Sequence, residues 1–220
     1  MSKNIAIDGP AGAGKSTIAK LCAKELQFIY VDTGAMYRAM AIYFLDNNID
    51  VSCEDTVAKE CENVTIDIKY DNGEQQVFLN GENVTNRLRK EEVGNMASKT
   101  SSYKCVRTKL AKLQKELAKK DIIMDGRDIG TCVLPNADLK IYLTASVEKR
   151  AKRRYDELVS KGENPSIEEL KKDIENRDYQ DMTRKESPLK QASDAILVDS
   201  SDMSIEEVVQ TILTLFERTK

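Results

Sequence analysis

The sequence predicts an α/β fold in which helices cover a five-stranded parallel sheet, and three observations predict it. Short apolar runs alternate with segments of helical periodicity along the whole chain. The first of those runs leads into Gly9-Pro10-Ala11-Gly12-Ala13-Gly14-Lys15-Ser16, which satisfies G-x-x-x-x-G-K-[ST] at every required position. Between residues 63 and 85 the hydrophobic period changes to that of a strand with one buried face, marking a small antiparallel insert.

Taken in order, Asn4-Ile5-Ala6-Ile7-Asp8 suits a buried parallel strand, and Lys15 to Leu26 places Ile18, Ala19, Cys22, Ala23 and Leu26 on one helical face. Strand, glycine loop and helix together give a P-loop three-layer fold. The glycines let backbone N–H groups close around an anion at a helix N-terminus. Lys15 offers an ammonium to the outer phosphates of a nucleoside triphosphate, and Ser16 offers a hydroxyl to Mg²⁺.

Phe28-Ile29-Tyr30-Val31 is the second strand, and Asp32-Thr33-Gly34-Ala35-Met36-Tyr37-Arg38 emerges at its carboxyl end, where open parallel sheets bind ligands. A helix over 35–47 follows, carrying Met36, Met40, Tyr43 and Phe44 as core. Ser52 and Asp55 have capping-box spacing for a helix reaching Cys61. Val64–Ile68 and Gln76–Leu79, with turns at Asp71-Asn72-Gly73 and Asn80-Gly81, read as a meander ending near Val84. Lys90 to Lys120 is helical, with Val106, Leu110, Leu113 and Leu117 as its buried stripe.

Ile122-Ile123-Met124 is the third parallel strand. Asp125, Gly126, Arg127 and Asp128 leave its carboxyl end, with Asp125 placed to order the water shell of Mg²⁺. Leu139–Leu143 is the fourth strand. Arg150, Lys152, Arg153 and Arg154 open a charged helix that breaks at Asn164-Pro165-Ser166, and a second helix capped by Ser166 and Glu169 carries Arg177, Asp181 and Arg184 on one face. Two charged helices joined by a polar break describe a lid, which keeps water from intercepting a transferring phosphoryl group. Ala195–Asp199 is the fifth strand, and Ser204 with Glu207 caps a final helix packing through Ile205, Val208, Val209, Ile212, Leu213 and Phe216.

Composition narrows the chemistry. Of 220 residues, 34 are Lys or Arg, 37 are Asp or Glu and none is His, so the formal charge is −3 and no imidazole serves as base, nucleophile activator or metal ligand. Phosphoryl transfer to an acceptor that is itself a phosphate meets this restriction, because a phosphate monoester is largely dianionic at neutral pH and needs charge cancellation rather than deprotonation. The acidic balance argues against a nucleic-acid partner. The lack of a long apolar run argues against a membrane span, and a polar N-terminus leads directly into the first strand, without the pattern of an export signal. The five cysteines carry no C-x-x-C pair and read as reduced cytoplasmic thiols. A monomer is expected.

With these motifs in place, the chain resembles the bacterial cytidylate kinases of the nucleoside-monophosphate kinase group, effectively over its whole length. The resemblance rests on IDGPAGAGKST at 7–17, DTGAMYR at 32–38, the inserted meander, DGRDIGT at 125–131, and RDYQDMTR at 177–184 followed by SPL at 187–189. It implies transfer of the ATP γ-phosphoryl group to CMP or dCMP with Mg²⁺. By position it implies that Gly9, Pro10, Ala11, Gly12, Ala13, Gly14, Lys15, Ser16 and Thr17 hold the ATP phosphates, with either hydroxyl of Ser16-Thr17 on the metal. Ser98, Arg107 and Asp128 would read cytosine, a carboxylate accepting from the N4 amino group. Arg38, Arg127 and Arg184 would grip the acceptor phosphate or the transferred group, Arg177 and Asp181 would lie near the pentose, and Thr33 stands where some relatives have serine. Arg153 or Arg154 would swing in from the lid; Arg153 is taken as the catalytic member beside Lys15. The implied organisation is a single kinase domain over 1–220. Its core is 1–34, 100–148 and 190–220, its NMP-binding region 35–99 with the β insert at about 63–85, and its lid about 149–189.

Overall fold

The structure is a computed structural model that describes residues 2–219. In chain order its elements are β1 (Asn4–Asp8), α1 (Lys15–Leu26), β2 (Ile29–Asp32), α2 (Thr33–Asp46), α3 (Glu54–Glu62), β3 (Ile66–Asp71), β4 (Glu74–Leu79), β5 (Glu82–Asn83), α4 (Glu91–Thr100) and α5 (Lys104–Leu117). There follow β6 (Ile122–Gly126), β7 (Leu139–Thr144), α6 (Val147–Ser160), α7 (Ile167–Thr183), β8 (Ile196–Asp199) and α8 (Ile205–Glu217). The chain divides into two compact units: one runs to Ile29 and resumes at Lys120, and the other is Tyr30–Lys119.

The five-stranded sheet has the order β2-β6-β1-β7-β8. β1 is its centre and pairs in parallel with β6 and β7, placing Asp8 opposite Gly126 on one side and Tyr142 on the other. The chain leaving β1 therefore emerges between the ends of two neighbours, where an open α/β sheet forms its crevice. Ile5, Ala6, Ile7, Ile122, Ile123 and Met124 are completely buried. α1 packs on β6 and against α8, and Phe28 meets Phe216 edge to face at 5.6 Å. The capping box of α8 is complete: Ser204 Oγ accepts from the Glu207 N–H, and the Glu207 carboxylate accepts from the Ser204 N–H.

In the second unit, β3, β4 and β5 form a separate antiparallel sheet, beginning two residues later than the Val64 start read from periodicity. Both of its turns use Asn-Gly with positive φ at each central residue, the geometry that matches strand twist. Met36, Met40 and Phe44 of α2 are fully buried, whereas Tyr43 reaches Glu60 at 3.0 Å instead of joining the core.

Several expectations are corrected: α8 packs through Val208, Ile212 and Phe216 and leaves Ile205 exposed. Ser52 does not cap α3, because its N–H and hydroxyl both bond to Asp50 Oδ1 in a local turn, and the helix starts after Cys53. The helical stretch from 90 to 120 is two helices, α4 and α5, separated by a turn at 101–103. The buried stripe of α5 runs through Val106, Arg107, Leu110 and Gln114, leaving Leu113 and Leu117 half-buried.

Candidate functional site

The phosphate loop is shaped by what surrounds its backbone. At Gly9, with φ of 152°, a Cβ would stand 1.9 Å from the carbonyl oxygen of Leu143 in β7, so only hydrogen fits. Gly14 turns the chain into α1 with φ of 86° and provides no side-chain cap, and no acidic residue occupies the first turn. The helix therefore presents its N-terminal N–H groups and positive dipole end without internal competition from a side chain.

Lys15 is buried and donates from Nζ to the Pro10 carbonyl at 2.7 Å. Burial, and then the neighbouring Arg127, lower its ammonium to about 7, against the opposing pull of Asp125, Asp181 and Asp8. A polyphosphate here would add the negative charge that such a desolvated cation favours. Ser16 Oγ donates to Asp125 Oδ2 at 2.9 Å, while Thr17 is exposed.

A second cluster in the same unit gathers four residues singled out from the sequence. Asp181 places one oxygen 2.7 Å from Arg127 Nε and the other 2.9 Å from Arg184 Nη1, and Arg184 Nη2 lies 3.9 Å from Asp128. Arg184 is held from behind by Ser187, whose carbonyl accepts from its Nε and Nη2 at 2.9 and 2.7 Å. Arg184 lies just beyond the end of α7 in an extended conformation, so the common helical face read from spacing holds for Arg177 and Asp181 and stops there. Arg177 is exposed on α7.

The turn carrying Arg127 and Asp128 is set by a residue the sequence reading passed over. Asp8, ending β1, is buried and accepts from the N–H groups of Ile129 and Gly130 at 2.8 and 2.7 Å. Burial raises its carboxyl to about 6; the two amides pull the other way and Asp128 adds to the rise. An acid closing an apolar strand immediately before the glycine loop was the available signal.

Arg150 and Asp178 were also missed as site residues. They form an ion pair at 2.6 Å, with side chains 5% and 12% exposed, and together grip the Ala11 peptide of the phosphate loop. Arg150 Nη1 donates to the Ala11 carbonyl at 2.8 Å, and Asp178 accepts from the Ala11 N–H at 3.1 Å. Both charged helices, α6 and α7, are thereby rooted on the loop. Asp178 stands four residues after Ile174, the other buried position of α7, so an acid in an apolar stripe was the readable sign. Arg153 donates to the Ser200 carbonyl at 2.6 Å, and its Nη1 would be 3.8 Å from a Cβ at Gly14. Arg154 instead pairs with Glu157 of its own helix at 2.9 Å.

In the second unit, Asp32 caps α2 by accepting from the Ala35 N–H at 3.0 Å, and Thr33 begins that helix as a buried residue. Arg38 lies one turn further on, its Nη1 3.1 Å from where a Cβ of Gly34 would be. Arg107 of α5 is buried, with its guanidinium 5.5 Å from the Tyr37 ring centroid and Nη1 donating to the Ser101 carbonyl at 3.0 Å. Ser98 is half-buried on α4, where its carbonyl accepts from Ser101 Oγ at 2.9 Å.

A phosphate loop with a lysine beneath it, beside an arginine–aspartate cluster and without histidine, narrows the chemistry to phosphoryl transfer. The family described as Cytidylate kinase has a sequence model that matches residues 5–218. The chain belongs to the cytidylate kinase family. Among its relatives, the cytidylate kinase of Caldicellulosiruptor bescii is 54% identical over 214 residues, covering 97% of this chain and 95% of that one. The cytidylate kinase of Listeria innocua is 53% identical over 216 residues, covering 97% and 96%. A solved structure of an uncharacterized protein from Eubacterium ventriosum shares the fold with a TM-score of 0.56 at 11% identity, covering 98% of this chain and 99% of that one. Membership of a kinase family implies the use of nucleotide substrates. Among the described residues no helix is long and apolar enough to cross a membrane.

Proposed function

We infer that this chain transfers the γ-phosphoryl group of ATP to CMP or dCMP, giving ADP and CDP or dCDP. The observation that supports it most directly is the Arg127–Asp181–Arg184 cluster with Asp128 at its edge, in the same unit as the phosphate loop of a cytidylate kinase family member. Gly9 to Thr17 bind the ATP phosphates through backbone N–H groups, and Lys15 moves from the Pro10 carbonyl to the outer phosphates. Arg127, Arg184 and Arg38 orient the acceptor phosphate and neutralise the charge that spreads over the transferring group, with Arg153 contributing from α6. Arg153 is preferred to Arg154 because it faces the loop at Gly14, whereas Arg154 is engaged with Glu157. Asp128, Arg107 and Ser98 read cytosine, Arg177 and Asp181 act at the pentose, and Thr33 supplies a hydroxyl to the acceptor nucleotide.

Asp181 already occupies both arginines that must meet phosphate, so the acceptor phosphate competes with a carboxylate for them. That arrangement orients both guanidinium groups and offsets part of their charge before a nucleotide arrives. No residue need act as a base, because the attacking oxygen belongs to a phosphate that is largely deprotonated at neutral pH.

The donor set fits Mg²⁺ held jointly with the substrate. Among the described residues no group of three or more His, Cys, Asp or Glu could hold a metal, whereas Ser16 Oγ and Asp125 Oδ2 offer two hard oxygens beside the loop. Bound there, Mg²⁺ supplies charge neutralisation on the phosphate oxygens. We further propose that residues 149–189 serve as a lid, that 35–99 form the acceptor-binding region, and that the enzyme works as a cytoplasmic monomer.

The test is ADP release from Mg²⁺·ATP with CMP, dCMP, UMP, AMP or no acceptor in parallel. Strong turnover with CMP and dCMP, little with UMP and almost none without acceptor is expected. Release that does not depend on an acceptor would overturn the reading in favour of an ATPase or a nucleotide-dependent switch.

A further inference from the structure

Two thiols in the second unit lie side by side on different helices. Cys61 is the penultimate residue of α3 and Cys105 the second residue of α5; their sulfurs are 3.9 Å apart, with Cys61 donating its S–H to Cys105. Cys61 is 4% exposed, while Cys105 is half-exposed and meets solvent first. Burial pushes the Cys61 thiol up to about 12, with the Cys105 sulfur adding to the rise, so Cys61 holds its proton as donor to Cys105.

Both cysteines are among the residues lining one open groove of about 560 Å³ between α3 and α5. Its other walls include Glu54, Glu62, Lys104 and Lys109, so carboxylates and ammonium groups flank the thiols. Lys109 also ties the two helices together by donating to the Cys61 carbonyl at 2.6 Å. A ligand complementary to this lining carries both charges and a sulfur-reactive centre: a small zwitterionic disulfide.

We propose that Cys61 and Cys105 are a modification site that consumes low-molecular-weight zwitterionic disulfides and closes to an internal disulfide. The Cys105 thiolate attacks one sulfur of the small disulfide, forming a mixed disulfide and expelling one small thiolate, which takes up a proton. Cys61, losing its proton as it reacts, then attacks the Cys105 sulfur, and the second small thiol leaves. Two protein thiols are oxidised to one disulfide and one small disulfide is reduced to two thiols. The sulfurs need approach by only about 1.9 Å to reach bonding distance. Resolution by Cys61 prevents a bulky adduct from persisting on α5 two residues before Arg107, and the cross-link fastens α3 to α5. This site is independent of the phosphoryl-transfer reading.

The intact chain is incubated with excess glutathione disulfide, its mass and thiols are measured, and it is then digested by trypsin without reduction. Whatever the exposed Cys53 and Cys132 take up, peptides 60–69 and 105–107 should be linked to each other, with no glutathione on either. In Cys61→Ser, the same treatment should leave one glutathione on Cys105. A wild-type chain that keeps glutathione on Cys105, retains both thiols, or links either to another cysteine overturns the proposal.

Discussion

Replacing Asp178 by alanine removes the carboxylate that faces Arg150 at 2.6 Å and accepts from the Ala11 N–H. Arg150, with a side chain only 5% exposed, is left charged against the carbonyls of Ala145 and Ala11. Removing one partner of a buried ion pair costs about 3–5 kcal/mol; the partial exposure of Asp178 places this case near the lower end, at about 3 kcal/mol. With urea slopes of about 1–3 kcal/mol per molar, the unfolding midpoint should fall by about 1–3 M. Asp178→Asn keeps an acceptor for Ala11 and loses only the charge, so about half of that loss is expected. Paired replacement, Arg150→Met with Asp178→Leu, leaves no unmatched charge and should recover part of the stability. Because the pair grips the phosphate loop, KM for ATP should rise more than KM for CMP in Asp178→Asn. Urea titration with steady-state kinetics checks both. An alanine variant losing less than about 1 kcal/mol, or equal rises in the two KM values, would refute the argument that this pair positions the loop.

Asp128→Ala should weaken CMP far more than ATP in steady-state kinetics, and equal losses would reject its role in reading cytosine. The Lys15 ammonium titrates near 7, and a bound triphosphate favours its charged form, so ATP binding at pH 7 should take up about half a proton. Calorimetry in buffers of different ionisation enthalpy measures this, and Lys15→Met should abolish it. Asp8 has its carboxyl raised from 3.8 to about 6, so the folded state holds its proton through that interval and stability falls as pH rises from about 4 to 6. The contribution is about 3 kcal/mol, and Asp8→Asn should flatten that part of the pH–stability curve; an unchanged slope in urea melts would contradict it.

Most of the element order was legible because each piece carries a local signature. The apolar triplet 122–124, the Asn-Gly turns and the Ser204–Glu207 box depend on residues close in sequence, and each forms where its chemistry favours it. Where two local partners competed, the reading failed: Asp50 outcompeted the helix N-terminus for Ser52. The break at 101–103 carries neither glycine nor proline, so periodicity alone joined α4 to α5.

By itself, the sequence determined the phosphate loop, the absence of imidazole chemistry, and the residue types that must carry charge cancellation. These follow from spacing and composition, which need no knowledge of long-range contacts. Only the tertiary structure decided that one carboxylate, Asp181, holds both Arg127 and Arg184, that Asp8 organises the 127–130 turn, and that Arg150 with Asp178 clamps Ala11. Those partners are separated by tens to well over a hundred residues in several cases, and an isolated acid looks the same in sequence whether solvated or buried. Burial converts such residues from surface charges into positioning elements, because a desolvated charge must find its partner wherever the fold places one.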